Sequence, residues 1–326
     1  MTFSSIQSSK PSNNLSSRFG EIPEVYYPIS RFYQEKFGEK VYKVSVSVSE
    51  TCPNRQGKNG MTTCIFCDEW GSAAYHLERE LDLSDQIQKN KEKIKLRYKS
   101  NKFLVYFQSY TNTFVKTESL RKRFDTALSF EDVVGFVVGT RPDCLPLGVI
   151  RLLEEYSQKS YVQIELGAQS FDDAQLEYMK RGHDSQSTLK AVEKLSTIDD
   201  VDIGIHLIFG WPNETVDDVI KTAHQINGLP VSTVKLHNLH VLKNTVLHEH
   251  YLKGQFTPLS LEQYTDMVSA FLSHLRPDIA VHRLAAVANR REELIAPNWT
   301  MEKMRPTQFI KNHMRANGYF QGMHWG

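Results

Sequence analysis

The chain has 326 residues, 40% hydrophobic and 24% charged, a composition that supports a sizeable core and excludes disorder, collagen and coiled coil as global descriptions. Thirty-nine basic residues against 38 acidic ones leave a net charge of +1, so no overall field draws the molecule to nucleic acid or membrane, and any such partner needs a local patch. Of four cysteines, Cys52, Cys64 and Cys67 are grouped and Cys144 stands far off, which is the wrong arithmetic for a secreted disulfide framework.

Residues 1–30 are read as a disordered tail, because the first twenty are rich in Ser and Asn, with Lys10, Arg18 and no acid. They lack the apolar segment of a secretory signal, and no apolar run in the chain reaches the length of a membrane span, so the address expected is cytoplasmic with no membrane partner. From residue 31 to 254 short apolar runs alternate with helical patterns. Val44, Val46 and Val48 alternate with serines and predict a strand ending at Ser49. Further strands are predicted over 102–108, 133–139, 161–167, 201–209 and 231–239. Helices are predicted over 84–99, 118–128, 146–158, 185–196 and 215–227, with Ser84 and Thr215 as N-caps. This alternation demands right-handed parallel crossovers, in an open doubly wound sheet or in a full or partial barrel. Periodicity does not choose between them, but both place chemistry at the carboxyl ends of the strands. Residues 255–326 change pattern: a helix over 261–275, a strand over 279–284 and a closing helix over 302–317 predict a small α+β extension, interrupted by Pro297 and Asn298.

Directly after the first predicted strand, Cys52, Cys64 and Cys67 share one loop, and Gly57 and Gly60 let it fold tightly. Three thiols are one short of a structural zinc site or an ordinary four-thiolate cluster. On a 4Fe–4S cluster they leave one iron open, as a reactive centre requires. A zinc knuckle completed by His76 or Cys144 uses the same cysteines, and a Cys64–Cys67 redox pair uses two of them.

The triad, with Phe66 before the last cysteine, resembles the radical S-adenosylmethionine (SAM) superfamily. Its eleven-residue first gap is longer than the commonest one and is similar to the branch near the elongator catalytic subunit. YFQSYTNT (106–113), GTRPDC (139–144), ELGAQS (165–170) with RGH (181–183), HLIFGWPNET (206–215), KLHNLH (235–240), VHRL (281–284) and APNW (296–299) extend the resemblance over nearly the whole chain, to the YhcC/YtqA-type proteins. The resemblance implies an α/β fold, a partial (β/α)6 TIM-like barrel with the C-terminal α+β extension. It implies a 4Fe–4S cluster on Cys52, Cys64 and Cys67, SAM as cofactor, and an external reductant of flavodoxin or ferredoxin type. It also implies SAM contacts at Gln169 and Arg181, for a ribose hydroxyl and the carboxylate, at His206 for the ribose, and along Gln108 to Thr111 for the amino group. The family's turn at this last place is glycine-rich and here has no glycine, and Trp211 and Asn213 also depart from the pattern.

Read without the resemblance, Arg181 equally suits a solvated helix end, His206 a packed core histidine, and Thr140, Arg141 and Asp143 either a salt-bridged turn or substrate contact. His237 and His240 point to opposite faces if their segment stays extended, so one of the two is expected in the cavity. Cys144 suits inert packing or a catalytic thiol.

The family is associated with tRNA modification, which implies tRNA, with wobble uridine as target. Residues 89–102 hold seven basic residues and one acid, but alternate positions spread around a helix rather than forming one stripe. Trp70, Tyr110 and Phe114 suit base stacking or pocket walls. Radical SAM chemistry on a small metabolite or a protein side chain is the second reading, and a zinc-stapled nucleic-acid-binding module the third.

Overall fold

A computed structural model describes residues 24–48, 51–68, 70–71, 80–288 and 290–326. Of the tail expected over residues 1–30, residues 1–23 lie outside the described residues, as do His76 and the end of the first predicted strand at Ser49, whereas residues 24–30 are folded, with Val25 buried, Pro28 bridging Val281 and Ile29 opening a helix.

Helix α1 (Ile29–Phe37) leads into β1 (Val41–Val46). There follow α2 (Leu83–Tyr98), β2 (Lys102–Phe107), α3 (Thr117–Leu128), β3 (Val133–Thr140), α4 (Leu147–Ser157) and β4 (Tyr161–Gln169). Two helices, α5 (Asp173–Tyr178) and α6 (Ser185–Ser196), precede β5 (Val201–Phe209), and α7 (Val216–Asn227) leads to β6 (Thr233–Asn238). The remainder comprises β7 (Val241–Leu242), α8 (Val246–Leu252), α9 (Leu261–His274), β8 (Ala280–Val281), β9 (Leu294–Ala296) and α10 (Arg305–Ala316).

Strands β1 to β6 stand side by side in chain order, every neighbouring pair parallel, and β8 adds a seventh beside β6. The order never reverses, so successive right-handed crossovers all advance the same way and keep the helices on one face. The sheet curls with its other face inward, a partial barrel rather than a doubly wound sheet. The strand expected in the extension thus belongs to the barrel. Val281 pairs with Val234, 47 residues earlier in the chain, a contact that local pattern does not encode. Strands β7 and β9 form a separate antiparallel pair.

Alternate strand residues explain both faces. Val44, Val105, Phe136, Val162 and Ile205 face outward and pack under Leu120 and Phe124 of α3 and Leu153 and Tyr156 of α4. Intervening positions face the lumen, which is apolar only near the strand amino ends, where Tyr33 of α1 packs with Val41, Leu104 and Tyr161. Helix α1 therefore closes that end, and its spacing Ile29, Phe32, Tyr33, Phe37 is helical although the sequence reading passed over it. Pro28 bridges Val281, so the same segment also covers the edge of β8.

The Thr215 cap is present as a capping box with Asp218, whereas α2 starts earlier than expected, capped by Asp82, whose carboxylate accepts from Asp85 N. Among the described residues no helix is long and apolar enough to cross a membrane.

Candidate active site

The loop after β1 turns sharply at Gly57 and Gly60, with φ of 63° and 78°, the left-handed region where glycine avoids a side-chain clash. It is fastened to the barrel rather than swinging from it. Asn54 Nδ2 donates to the carbonyls of Thr62 and Lys180, both at 2.8 Å, and Ile65 N donates to Met179 O at 3.1 Å. Folded this way, Cys52, Cys64 and Cys67 line one cavity at the strand carboxyl ends, and all three are free thiols.

Each sulfur meets an N–H donor. Arg55 N lies 3.5 Å from Cys52 Sγ, Arg55 Nη2 3.4 Å from Cys67 Sγ, and both Asn54 Nδ2 and Arg181 Nη1 3.6 Å from Cys64 Sγ. Such contacts favour negative charge on sulfur. As a free thiol Cys67 is pushed up to about 12 by burial and by neighbouring Cys64, so a bound metal is what would hold it as thiolate at neutral pH.

Gln108 and Thr111 beyond β2, Gln169 at the end of β4, Arg181 after α5 and His206 on β5 line the same cavity as the thiols. It holds about 1450 Å³, its open mouth included. In the glycine-free turn, Tyr110 takes the left-handed conformation at φ 57°, and Asn112 Nδ2 donates to the carbonyls of Phe107, Ser109 and Gly139. Gln169 also has a positive φ, 72°, where the pairing of β4 with β5 shifts register. Arg181 is buried, Nη2 donates to Gly167 O at 2.7 Å, and Nε has no partner among the described residues. A Cβ on Gly167 would lie 2.9 Å from Arg181 Nη2 and 3.0 Å from Gln169 Nε2, so glycine is what lets both side chains converge there.

His206 Nε2 hydrogen-bonds Glu165 of β4. Burial and nearby Lys235 pull His206 down to about 4, which leaves it neutral at pH 7. Glu165 is the residue that sequence reasoning missed. Its fully buried carboxylate accepts from Lys43 of β1, from Tyr106 of β2 at 2.7 Å and from Lys235 of β6 at 3.1 Å. Burial alone would raise its pKa, but Lys235, Lys43 and two histidines outweigh that and hold it well below the carboxylate range. The signal was period two: Gln163, Glu165 and Gly167 share one strand face, as do Thr233, Lys235 and His237.

Arg141 does form the salt-bridged turn, with two 2.8 Å contacts to Asp143, and also bonds the Asn54 side chain and, at 2.8 Å, Arg181 O. It thereby pins the cysteine loop to the segment carrying Arg181. The expectation that one of His237 and His240 reaches the cavity is corrected. Strand β6 ends at Asn238, the chain turns, and both rings line the cavity, stacked at 5.3 Å with each Nδ1 on Asn238 O. Cys144 is buried and does not line the cavity with the other three cysteines. Trp211 Nε1 donates to Ile208 O at 2.7 Å and its ring meets Phe66 edge-on, while Asn213 takes φ 63°, a conformation Asn tolerates better than most residues.

The donor set fits an iron–sulfur cluster with an open position: three thiols in one cavity, each facing an N–H, beside a buried arginine with an unmatched donor. The thiolates of a cluster each bind a different iron, so three cysteines spread over one loop suit it without converging on a single point. Residues 46–226 match the Radical SAM superfamily and residues 231–316 the Radical_SAM C-terminal domain. YtqA of Bacillus subtilis is 33% identical over 91% of this chain and 92% of its own, and YhcC of Escherichia coli K12 33% over 87% and 90%. A tRNA uridine(34) acetyltransferase of Methanocaldococcus infernus is 28% identical over 42% of this chain and 25% of its own. The structure of archaeal Methanocaldococcus infernus Elp3 with an N-terminal deletion shares the fold, with TM-score 0.66 and 18% identity over 86% of this chain and 64% of that one. The cysteine loop, the curled sheet and these matches over both parts of the chain agree: it belongs to the radical SAM superfamily, beside the YhcC and YtqA proteins.

Proposed function

We propose that this chain is a cytoplasmic radical SAM enzyme of tRNA modification, acting on wobble uridine. The observation that carries the chemistry is that three free thiols and the residues suited to SAM line one cavity. When bound, a 4Fe–4S cluster and SAM together supply hydrogen-atom abstraction from the substrate, with the electron from a flavodoxin or ferredoxin. The chain's own residues bind and orient. Cys52, Cys64 and Cys67 hold the cluster; Arg181, with its spare Nε–H, takes the SAM carboxylate; Gln108 and Thr111 face the amino group. Gln169 and His206 meet the ribose, and Phe66, Ile208 and Leu239 supply apolar walls for adenine.

The tRNA half of this reading is supported by the similarity to the tRNA uridine(34) acetyltransferase. Arg55 stacks over Tyr110 at 5.2 Å and Arg290 over Trp70 at 4.3 Å beside the cavity, a type of surface on which an unstacked base can lie. The basic run on α2 lends less, since Lys91 is turned inward onto Asp132 at 2.6 Å.

Two measurements separate the parts. Anaerobic protein with SAM and a strong reductant is expected to release 5′-deoxyadenosine, and no release overturns the enzyme class. Cells lacking the gene are expected to lose one modified tRNA nucleoside. An unchanged nucleoside profile, with SAM cleavage intact, overturns the tRNA substrate and favours a small metabolite or protein side chain.

A further inference from the structure

Three cationic side chains, Lys43, Lys235 and Arg283, stand in the barrel lumen with one carboxylate, Glu165. Lys43 is engaged by Glu165, and Lys235 shares Glu165 Oε2 and the Tyr106 hydroxyl, at 3.1 and 2.8 Å. Arg283 is different. Its Nε donates to Leu236 O at 3.2 Å, and among the described residues no carboxylate pairs with its guanidinium. Arg283 and Lys235 both line the cavity that holds the thiols. So does Asn238, 1% exposed, whose Nδ2 is buried with no partner while its Oδ1 accepts from Ala286 N at 2.8 Å.

A cation largely withdrawn from water without its anion is costly, and donors left open on a cavity wall mark where a ligand completes the set. We propose that the side of the cavity formed by β6 and the segment after β8 is a subsite for a carboxylate group of the substrate, held by Arg283 and Lys235 with Asn238 Nδ2 as a third donor. This rests on the reading of the cavity as the active site and names the chemistry of what that site accepts. A guanidinium fork matches a carboxylate in two parallel hydrogen bonds. Lys43 is taken by Glu165 and Lys235, pulled down to about 7, is only partly charged at neutral pH, which leaves Arg283 as the full surplus charge: a carboxylate matches it, whereas a phosphate dianion beside Glu165 adds repulsion. The surroundings agree. Burial, with Arg283 and Lys43 nearby, pulls Lys235 down to about 7 in spite of Glu165, as expected where positive charge lacks its counterpart.

The test is calorimetric titration of cluster-loaded, full-length protein with acetate and with inorganic phosphate, at fixed ionic strength and saturating SAM so that the Arg181 side is filled. Acetate is expected to bind saturably, with phosphate at least about 10-fold weaker, and Arg283→Gln to weaken acetate about 10-fold or more. Lys235→Met, which keeps Arg283, is a second variant expected to weaken it in the same direction. No saturable acetate binding, undiminished binding in both variants, or phosphate binding tighter than acetate overturns the proposal. Release of 5′-deoxyadenosine by the same wild-type preparation reports separately on the active-site reading.

Discussion

Arg181 donates one terminal nitrogen to Gly167 O at 2.7 Å and holds the other 3.6 Å from Cys64 Sγ, so one guanidinium joins strand β4 to the cysteine loop. Lysine keeps the charge but not the fork. Arg181→Lys is expected to weaken SAM binding about 10- to 100-fold, the range for losing a charge-assisted hydrogen bond, as measured by equilibrium dialysis on cluster-loaded protein. Affinity equal to wild type would remove Arg181 from the SAM contacts.

The four cysteines are expected to divide three to one. Alanine at Cys52, Cys64 or Cys67 should prevent stable loading of iron and sulfide after anaerobic reconstitution and abolish 5′-deoxyadenosine release. Cys144→Ser, at a buried position outside the cavity lining, should retain both. Loss of iron in Cys144→Ser with the fold intact by circular dichroism would make Cys144 a ligand.

Glu214 accepts from Gly210 N at 2.5 Å and Trp211 N at 3.2 Å, yet burial pushes its carboxyl up from 4.5 to about 7. Between these values the folded state keeps a proton that the unfolded chain has released, so stability falls as pH rises from about 4.5 to 7 and is level in this contribution above. The loss is on the order of 1 to 3 kcal/mol. Glu214→Gln should therefore gain stability over wild type at pH 8 and lose that advantage near pH 4.5, in paired urea titrations. An advantage independent of pH would contradict the assignment.

Removing the carboxylate from the lumen should be severe. Glu165→Gln leaves Lys43 and Lys235 without their counter-charge, at a cost of about 3 to 5 kcal/mol. Adding Lys235→Met should recover part of that loss, because one stranded cation is then gone. A double variant less stable than Glu165→Gln alone would show that Lys235 stabilises the fold by packing rather than through its charge.

The outer half of this fold is legible in the sequence because apolar side chains recur there with the period of their element. Val201 to Phe209 and Ser185 to Ser196 come out with the bounds expected, and the cysteine loop stands out through residue type and spacing alone. What escaped is of another kind. Glu165 sits in a strand that reads as an apolar run, and its meaning depends on Lys43 and Lys235, partners 122 and 70 residues away. Asn54 and Arg141 look like loop polarity until one sees that they fasten the cysteine loop to the Arg181 segment. The two histidines were misjudged because β6 stops at Asn238, where the backbone turns and period two no longer applies.

Tyr27 and Pro28 lie along β8, and Tyr33 fills the barrel from below with its hydroxyl on Gln163 Oε1 at 2.7 Å. With floor and side wall supplied by the same short stretch, the cavity and its thiols lie toward the strand carboxyl ends. For the uridine proposed above as target, a base would have to swing clear of its stacked neighbours to reach them.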